Sequence, residues 1–371
     1  MTHAAAPTSS PDGTMPPAPS GRLMALDAAR AVAIIGMIAV NVGPRNGGGW
    51  AGHLYQIPLG RSSLLFMLLA GVGMSLLTRS ARRPGGSVPW RTIVWRAALL
   101  TVGGLALQLM GHDVSVILPT YGLLFLLCLP LLRAPATVLA SAAAVLLAVG
   151  PVLWIAAQVA GGETYRFVPP TLADGPAEIL HRIVLSGPYP ALVWAVPFLV
   201  GMALGRADLG ERSLQKRLAV WGAAAMVGGY LLYRLLVALV GEPQESIGFD
   251  RLVSGVNHSQ MPLWLLSGTG SAALVLALFL LGGDAVARRL GPLVSVGRLS
   301  LTIYVGHLVL LAMLVRPEPH ALHQGILISA AISLAAVLFA ALWTRRFRYG
   351  PLEALLRWPP PKAAADAAER Q

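Results

Sequence analysis

The residues in this chain that could do chemistry are polar and ionisable groups set inside or beside apolar runs. Asn41 lies near the end of a first apolar run that also carries Asp27 and Arg30. His53 follows in a short loop with Gly47, Gly48, Gly49, Trp50, Tyr55, Gln56 and Pro58, and Arg61 opens the next run. Tyr121, Arg234, Tyr304 and His307 each stand within a later apolar stretch. At membrane depth such groups cost about 2.5–3.5 kcal/mol each, so they persist where they pair, line a cavity or react. An imidazole such as His53 or His307 can exchange a proton near neutral pH. Each group also has a plainer use. His53 can be a solvated loop histidine, Asn41 can bond a neighbouring helix or cap its own, and His307 can be a satisfied packing residue. Tyr121 and Tyr304 can simply pack, and Asp27 with Arg30, three apart, can be a local ion pair. The chain has no Walker loop, no GxSxG elbow and no HExxH, and its eight histidines are too scattered for a metal site, so no metal is expected.

Composition says what must position these groups. The chain is 56% hydrophobic and only 12% charged, against about 25% charged in a soluble protein. The apolar residues come in blocks of bilayer-spanning length. The expected fold is therefore all-α, a polytopic transmembrane bundle of ten, or eleven, helices. The ten blocks run about 24–43, 61–79, 92–111, 114–132 (after a tight turn at His112 and Asp113), 135–160, 189–205, 217–241, 263–283, 293–314 and 323–344. A short surface helix is expected at 175–185 in the long polar link 161–188. Residues 1–21, rich in Pro, Ser, Thr and Ala, read as a disordered tail without the pattern of a signal peptide. Residues 22–358 form the membrane domain and 359–371 a low-complexity tail.

The net charge of +12 is a topology signal, not a nucleic-acid footprint, because no basic cluster is interleaved with aromatics. With both termini cytoplasmic, the inside receives most of the 28 Lys and Arg, and the outside only Arg45, Arg61, Arg166, Arg182, Arg251 and Arg316. Arg79, Arg82, Arg83, Arg91 and Arg96 are first of all part of this asymmetry, and can also hold a phosphorylated ligand from the cytoplasm. The single cysteine, Cys128, excludes an intrachain disulfide and reads as a buried hydrophobe. A helix rises about 1.5 Å per residue, which puts Asn41 and His307 at nearly the same height in the outer half, with Tyr304 about one turn below. MLLAGVGMSLLTR near 67–79 faintly echoes PFLVGMALGR near 197–206, a likeness that small residues for helix packing explain equally well.

Several stretches resemble one family. R-x-x-A-L-D-A-A-R at 22–30, followed by apolar residues and V-N, resembles the first helix of heparan-α-glucosaminide N-acetyltransferase-like membrane acyltransferases. The glycine- and Trp50-containing loop leading to His53 is similar to that family's active-site loop. G-R-S-S-L-L-F-x-x-L-A-G-V (60–72), I-L-x-x-Y-G-L-L-F (117–125) and Y-P-A-L-x-W (189–194) continue the likeness. V-G-R-L-S-L-T-I-Y (296–304) and R-Y-G-P-L-E-A-L-L-R (348–357) are similar to its bacterial YeiB-like branch. Two departures are Ala31, where the family often has glycine, and Leu59, where many bacterial members have a polar residue.

The resemblance implies a multi-pass plasma (inner) membrane acyltransferase. It implies acyl-CoA, acetyl-CoA first, as cytoplasmic co-substrate, and a sugar or lipid-linked envelope acceptor on the other side. By position His53 matches the catalytic histidine and Asn41 its partner asparagine. Neutral imidazole would take the acceptor's proton, and the Asn41 amide would donate to the thioester oxygen. Arg61, Tyr121, Tyr304 and His307 are the candidate substrate-binding residues, and Arg79, Arg82, Arg83 and Arg298 the candidate CoA-phosphate residues. The rival expectations are a transporter or flippase, in which the polar groups line a permeation path, and a non-catalytic membrane scaffold. High Ala, Arg, Gly and Pro are those of a GC-rich bacterial source.

Overall fold

The computed structural model describes residues 21–44, 49–162, 167–244, 246–318 and 321–357. The expected tails, Arg45, Gly47, Gly48, Glu163, Tyr165, Arg166 and Glu245 lie outside the described residues. Among the described residues the chain is all-α, with no strand. In order the helices are α1 (Gly21–Val42), α2 (Gly49–Tyr55), α3 (Arg61–Leu77), α4 (Trp90–Leu107), α5 (Leu118–Leu127), α6 (Ala136–Gly161), α7 (Pro176–His181), α8 (Ala191–Leu204), α9 (Arg212–Val240), α10 (Pro262–Arg289), α11 (Gly291–Arg298), α12 (Ser300–Leu310), α13 (Leu322–Arg346) and α14 (Pro351–Leu355). Short π-helical turns, Arg182–Ser186 and Leu311–Val315, extend α7 and α12.

Among the described residues six helices are long and apolar enough to cross a membrane: those beginning at Met24, Trp90, Ala136, Arg212, Pro262 and Leu322. Two bent pairs raise the number to eight if each is one span. They are Pro176–Ser186 with Ala191–Leu204, bent by 63°, and Gly291–Arg298 with Ser300–Val315, bent by 81°. The two remaining expected blocks are shorter apolar helices, Arg61–Leu77 and Leu118–Leu127. Exposed apolar side chains run along α9 (Trp221, Leu231, Leu235, Leu239) and α13 (Leu327, Leu334, Leu342). On a chain this apolar, those stripes face lipid.

The centre is α3 packed between α1 and α8. Small residues set how closely these helices approach. A Cβ on Gly71 would stand 2.0 Å from the Phe198 carbonyl oxygen, and one on Gly201 would stand 1.9 Å from that of Leu68. The faint echo between 67–79 and 197–206 is thus two helices meeting glycine against backbone. At the 27 end of α1, a Cβ on Gly297 would fall 1.7 Å from the Asp27 carbonyl oxygen, so α11 lies directly on α1.

Two expected helices differ from the structure, and each for a local reason. The block expected after the turn at His112 and Asp113 begins its helix only at Leu118, with Pro119 in the first turn. The stretch before it is non-helical, and Gln108 holds it: its Nε2 donates to the Val114 carbonyl (2.9 Å) and its Oε1 accepts the Val116 N–H (2.9 Å). The block at 293–314 is broken at Leu299. There the carboxylate of Glu353, in the motif at 348–357, caps α12. It accepts the N–H groups of Leu301 (2.7 Å) and Thr302 (3.0 Å) and the Thr302 hydroxyl (2.6 Å). A carboxylate at a helix N-terminus satisfies orphan donors and meets the positive end of the dipole.

Candidate active site

Two cavities lie along α1 and α3 at opposite ends. The first, of about 380 Å³, is lined by Asn41 and Met37 of α1, Ser62 and Ser63 of α3, Tyr189 and His258. The second, of about 270 Å³, is lined by Arg30 of α1, Phe66 and Met74 of α3, Arg96 of α4, and Tyr121 and Phe125 of α5. The first is the polar cavity and the second the basic one. Phe66 stands one helical turn beyond Ser62 and Ser63, where one ends and the other begins. Its ring lies 5.6 Å from that of Tyr121 and stacks at 6.3 Å on that of Tyr304.

Asn41 is held from several directions. Its Nδ2 lies 3.1 Å from Nε2 of His307. His307 is buried, with Nδ1 facing the Ile303 carbonyl oxygen at 3.3 Å and its ring edge-on to Tyr304 at 5.3 Å. The Asn41 carbonyl accepts from Arg316 Nη2 (2.7 Å), and Arg316 Nε donates to the His112 carbonyl (2.7 Å). Two residues either side, the Tyr55 hydroxyl is shared between the carbonyls of Ala39 (2.8 Å) and Gly43 (3.0 Å), and its oxygen meets Ser329 Oγ at 2.8 Å. In the last turn of α1 the carbonyls of Ala39 and Asn41 thus gain side-chain donors.

The remaining sequence candidates spread widely. His53 is exposed on α2 and does not line the polar cavity. The Arg61 guanidinium turns to the carbonyl and hydroxyl of Ser267, both at 3.4 Å. Tyr121 lines the basic cavity, and its buried hydroxyl has no hydrogen-bond partner among the described residues. The Tyr304 hydroxyl accepts the Ile117 N–H at 3.4 Å. His307 sits behind Asn41, with one side on an apolar groove between α12 and α13. Arg79 and Arg83 are exposed. Arg82 folds back on the carbonyls of Thr78 (3.2 Å) and Ser75 (3.0 Å), and Arg298 donates to that of Arg348 (3.1 Å). None of these four arginines lines the basic cavity. Arg30 and Arg96 do. Arg30 pairs with Asp27 at 2.6 Å, and Arg96 Nε donates to the Leu356 carbonyl at 3.0 Å.

His258 is the polar-cavity residue that spacing alone does not reveal. It has φ of 59°, left-handed and uncommon for a bulky side chain. Its ring stands among those of Tyr189 (5.9 Å), Trp194 (5.9 Å) and Trp264 (5.6 Å). Two residues on, Gln260 fixes the turn by accepting from Trp194 Nε1 (2.9 Å) and donating to the Pro188 carbonyl (3.1 Å). Its only trace in the sequence is Asn257–His258 in a polar link. Among the described residues no three or more His, Cys, Asp or Glu gather as a metal site.

Comparison with known families gives two matches that overlap at residues 204–232. Residues 22–232 match the family described as "Heparan-alpha-glucosaminide N-acetyltransferase, catalytic". Residues 204–359 match "Protein of unknown function (DUF418)". No curated protein matches the chain. Asn41, His53 and Tyr121 fall in the first region, and His258, His307 and Arg316 in the second. The first match covers more than half of the chain, and the chain belongs to the heparan-α-glucosaminide N-acetyltransferase-like family, in its YeiB-like branch.

Proposed function

We propose that this protein is a membrane-embedded acyltransferase, moving an acyl group, acetyl first, from acyl-CoA to a sugar or lipid-linked envelope acceptor. The observation that carries this reading is the pair of cavities at opposite ends of α1 and α3, one lined by Asn41 and the other by Arg30 and Arg96. A donor too polar to cross a bilayer and an acceptor on its far side need two such access routes. In this reading the chain makes ten spans, with α3, α5 and both bent pairs among them. Both termini face the cytoplasm, and the protein sits in the plasma membrane.

The basic cavity takes the donor. Arg30 and Arg96 meet the acyl-CoA, and Arg79, Arg82, Arg83 and Arg298 at the same end attract its phosphates. The Tyr121 hydroxyl offers its hydrogen bond where the acyl-bearing arm passes. The polar cavity takes the acceptor. There Asn41 donates an amide N–H to the thioester oxygen as charge develops on it. The acceptor's oxygen or nitrogen attacks the carbonyl carbon while an imidazole, His53 by family position, takes its proton. The C–S bond breaks, and the leaving thiolate recovers the proton.

Radiolabelled acetyl-CoA, incubated with purified protein and an envelope-glycan extract beside His53→Ala and Asn41→Ala, tests the reading. Label is expected to move to an acceptor with the wild-type protein and to be lost with Asn41→Ala. Folded protein that neither binds acetyl-CoA nor transfers label would turn the reading toward a transporter.

A further inference from the structure

We propose that His307 is a positioning residue for Asn41, and that orienting this amide is what the 204–359 region of unknown function contributes to the site. The inference rests on the acyltransferase reading above and assigns His307 a role other than substrate contact. It starts from the proton inventory of the imidazole. Nδ1 of His307 faces the Ile303 carbonyl oxygen at 3.3 Å. A carbonyl can only accept, so Nδ1 carries the ring proton. Nε2 then holds a lone pair and needs a donor, and the group 3.1 Å away is the Asn41 side-chain amide. Only its NH₂ can satisfy that lone pair; the amide oxygen turned to the same place would set two acceptors against each other. The imidazole therefore fixes which way round Asn41 stands. One N–H is spent on His307, and the second N–H and Oδ1 are left for the polar cavity that Asn41 lines.

The rest of the contact set makes this a built arrangement. His307 is 2% exposed. Its ring is fixed edge-on by Tyr304, at 5.3 Å. The backbone of Asn41 is tied by Arg316 at 2.7 Å, and the same turn of α1 by Tyr55 with Ser329. Gly325 of α13 approaches so closely that a Cβ there would lie 2.0 Å from the Gly43 carbonyl oxygen. His307, Arg316, Gly325 and Ser329 all belong to the second region, and all converge on the end of α1 that carries the amide. His307 itself is separated from the polar cavity by Asn41 and is not on its wall.

The test is a double-mutant cycle read in kcat and KM, on full-length protein in nanodiscs, with acetyl-CoA and the envelope-glycan acceptor. Binding of acetyl-CoA to each variant serves as the check on folding. His307→Ala is expected to lower kcat about 100-fold, the scale of a misplaced reacting group, while KM for acetyl-CoA and its binding stay near wild type. His307→Gln, whose Oε1 can accept the same N–H, is expected to recover most of that loss. The double variant His307→Ala/Asn41→Ala is expected to be no slower than Asn41→Ala alone, because a positioning residue has nothing left to position. A wild-type kcat in His307→Ala, no recovery in His307→Gln, or losses that multiply in the double variant would overturn the assignment while leaving the acyltransferase reading intact. A wild-type protein that binds acetyl-CoA but never transfers overturns both.

Discussion

The two ends of α1 are held in opposite ways. At the 27 end the polar groups satisfy each other locally: Asp27 and Arg30, three residues apart, pair at 2.6 Å, and the neighbouring helix enters as bare glycine backbone at Gly297. At the 41 end the partners come from far away in sequence. Tyr55, His307 and Arg316 reach Ala39, Asn41 and Gly43 through side chains, and Ser329 Oγ in turn meets the Tyr55 hydroxyl. The first end is fixed by shape and the second by hydrogen bonds with defined direction. The role proposed for the Asn41 amide needs the second kind, because packing sets where a group is and hydrogen bonds set which way it faces.

That contrast can be broken at either end. The largest effect is expected from Gly297→Val. Its Cβ would stand 1.7 Å from the Asp27 carbonyl oxygen, so α1 and α11 must separate. The loss should exceed about 3 kcal/mol, the upper part of the overpacking range, and appear as loss of the monodisperse peak in size-exclusion chromatography. Arg316→Met comes next. It leaves the carbonyls of Asn41 and His112 without their 2.7 Å donors, which should cost about 2 kcal/mol, read as a lower Tm in detergent, with transfer reduced as well. Tyr55→Phe removes one hydroxyl from Ala39, Gly43 and Ser329, for about 1 kcal/mol in the same assay.

A pH series sharpens the picture at the 41 end. His112 is fully buried. Its Nε2 faces the Leu107 carbonyl oxygen at 2.9 Å, and its Nδ1 accepts the Val114 N–H at 3.1 Å. Burial pushes this imidazole below the usual histidine range, and the Arg316 guanidinium adds to that. The unfolded chain therefore binds a proton that the folded one refuses. The stabilisation is complete above the ordinary histidine value of about 6.5 and is lost as pH falls from there through the folded value. Thermal melts from pH 7.5 down to 5 should show this decline, and His112→Gln should flatten it. The smallest effect is expected from Asp27→Asn. It breaks a pair that is partly open to solvent, and should change Tm by the equivalent of about 0.5 kcal/mol.

Much of the helical layout was legible in the sequence, because long apolar blocks admit few other structures. Every expected block contains a helix, and the short helix expected at 175–185 is α7 with its π turn. Depth arithmetic put Asn41 and His307 at one height, and they stand 3.1 Å apart. What it could not supply is sideways information. The break between α11 and α12 depends on Glu353, far along the chain, and its capping bonds leave no periodic mark near Leu299. The same holds for the basic cavity. Arg79, Arg82 and Arg83 dominate the charge pattern, yet Arg30 and Arg96 line the space, because helix rotation decides which guanidinium points inward. His258 was hidden for a third reason. It stands on the polar cavity because Gln260 bonds Trp194 and Pro188, a closure between distant segments.

The cap that Glu353 places on α12 also bears on how this protein is made. The donors it satisfies, on Leu301 and Thr302, belong to a helix synthesised well before it. During translation that helix leaves the ribosome with an uncovered N-terminus and waits until residue 353, some fifty positions on, has emerged. The bent segment is thus completed only after α13 has been made, and the motif at 348–357 acts as a closing signal. A premature stop just before it would release every membrane-crossing helix intact but leave α12, and with it the His307 that meets Asn41, unlatched for the cell's quality-control proteases.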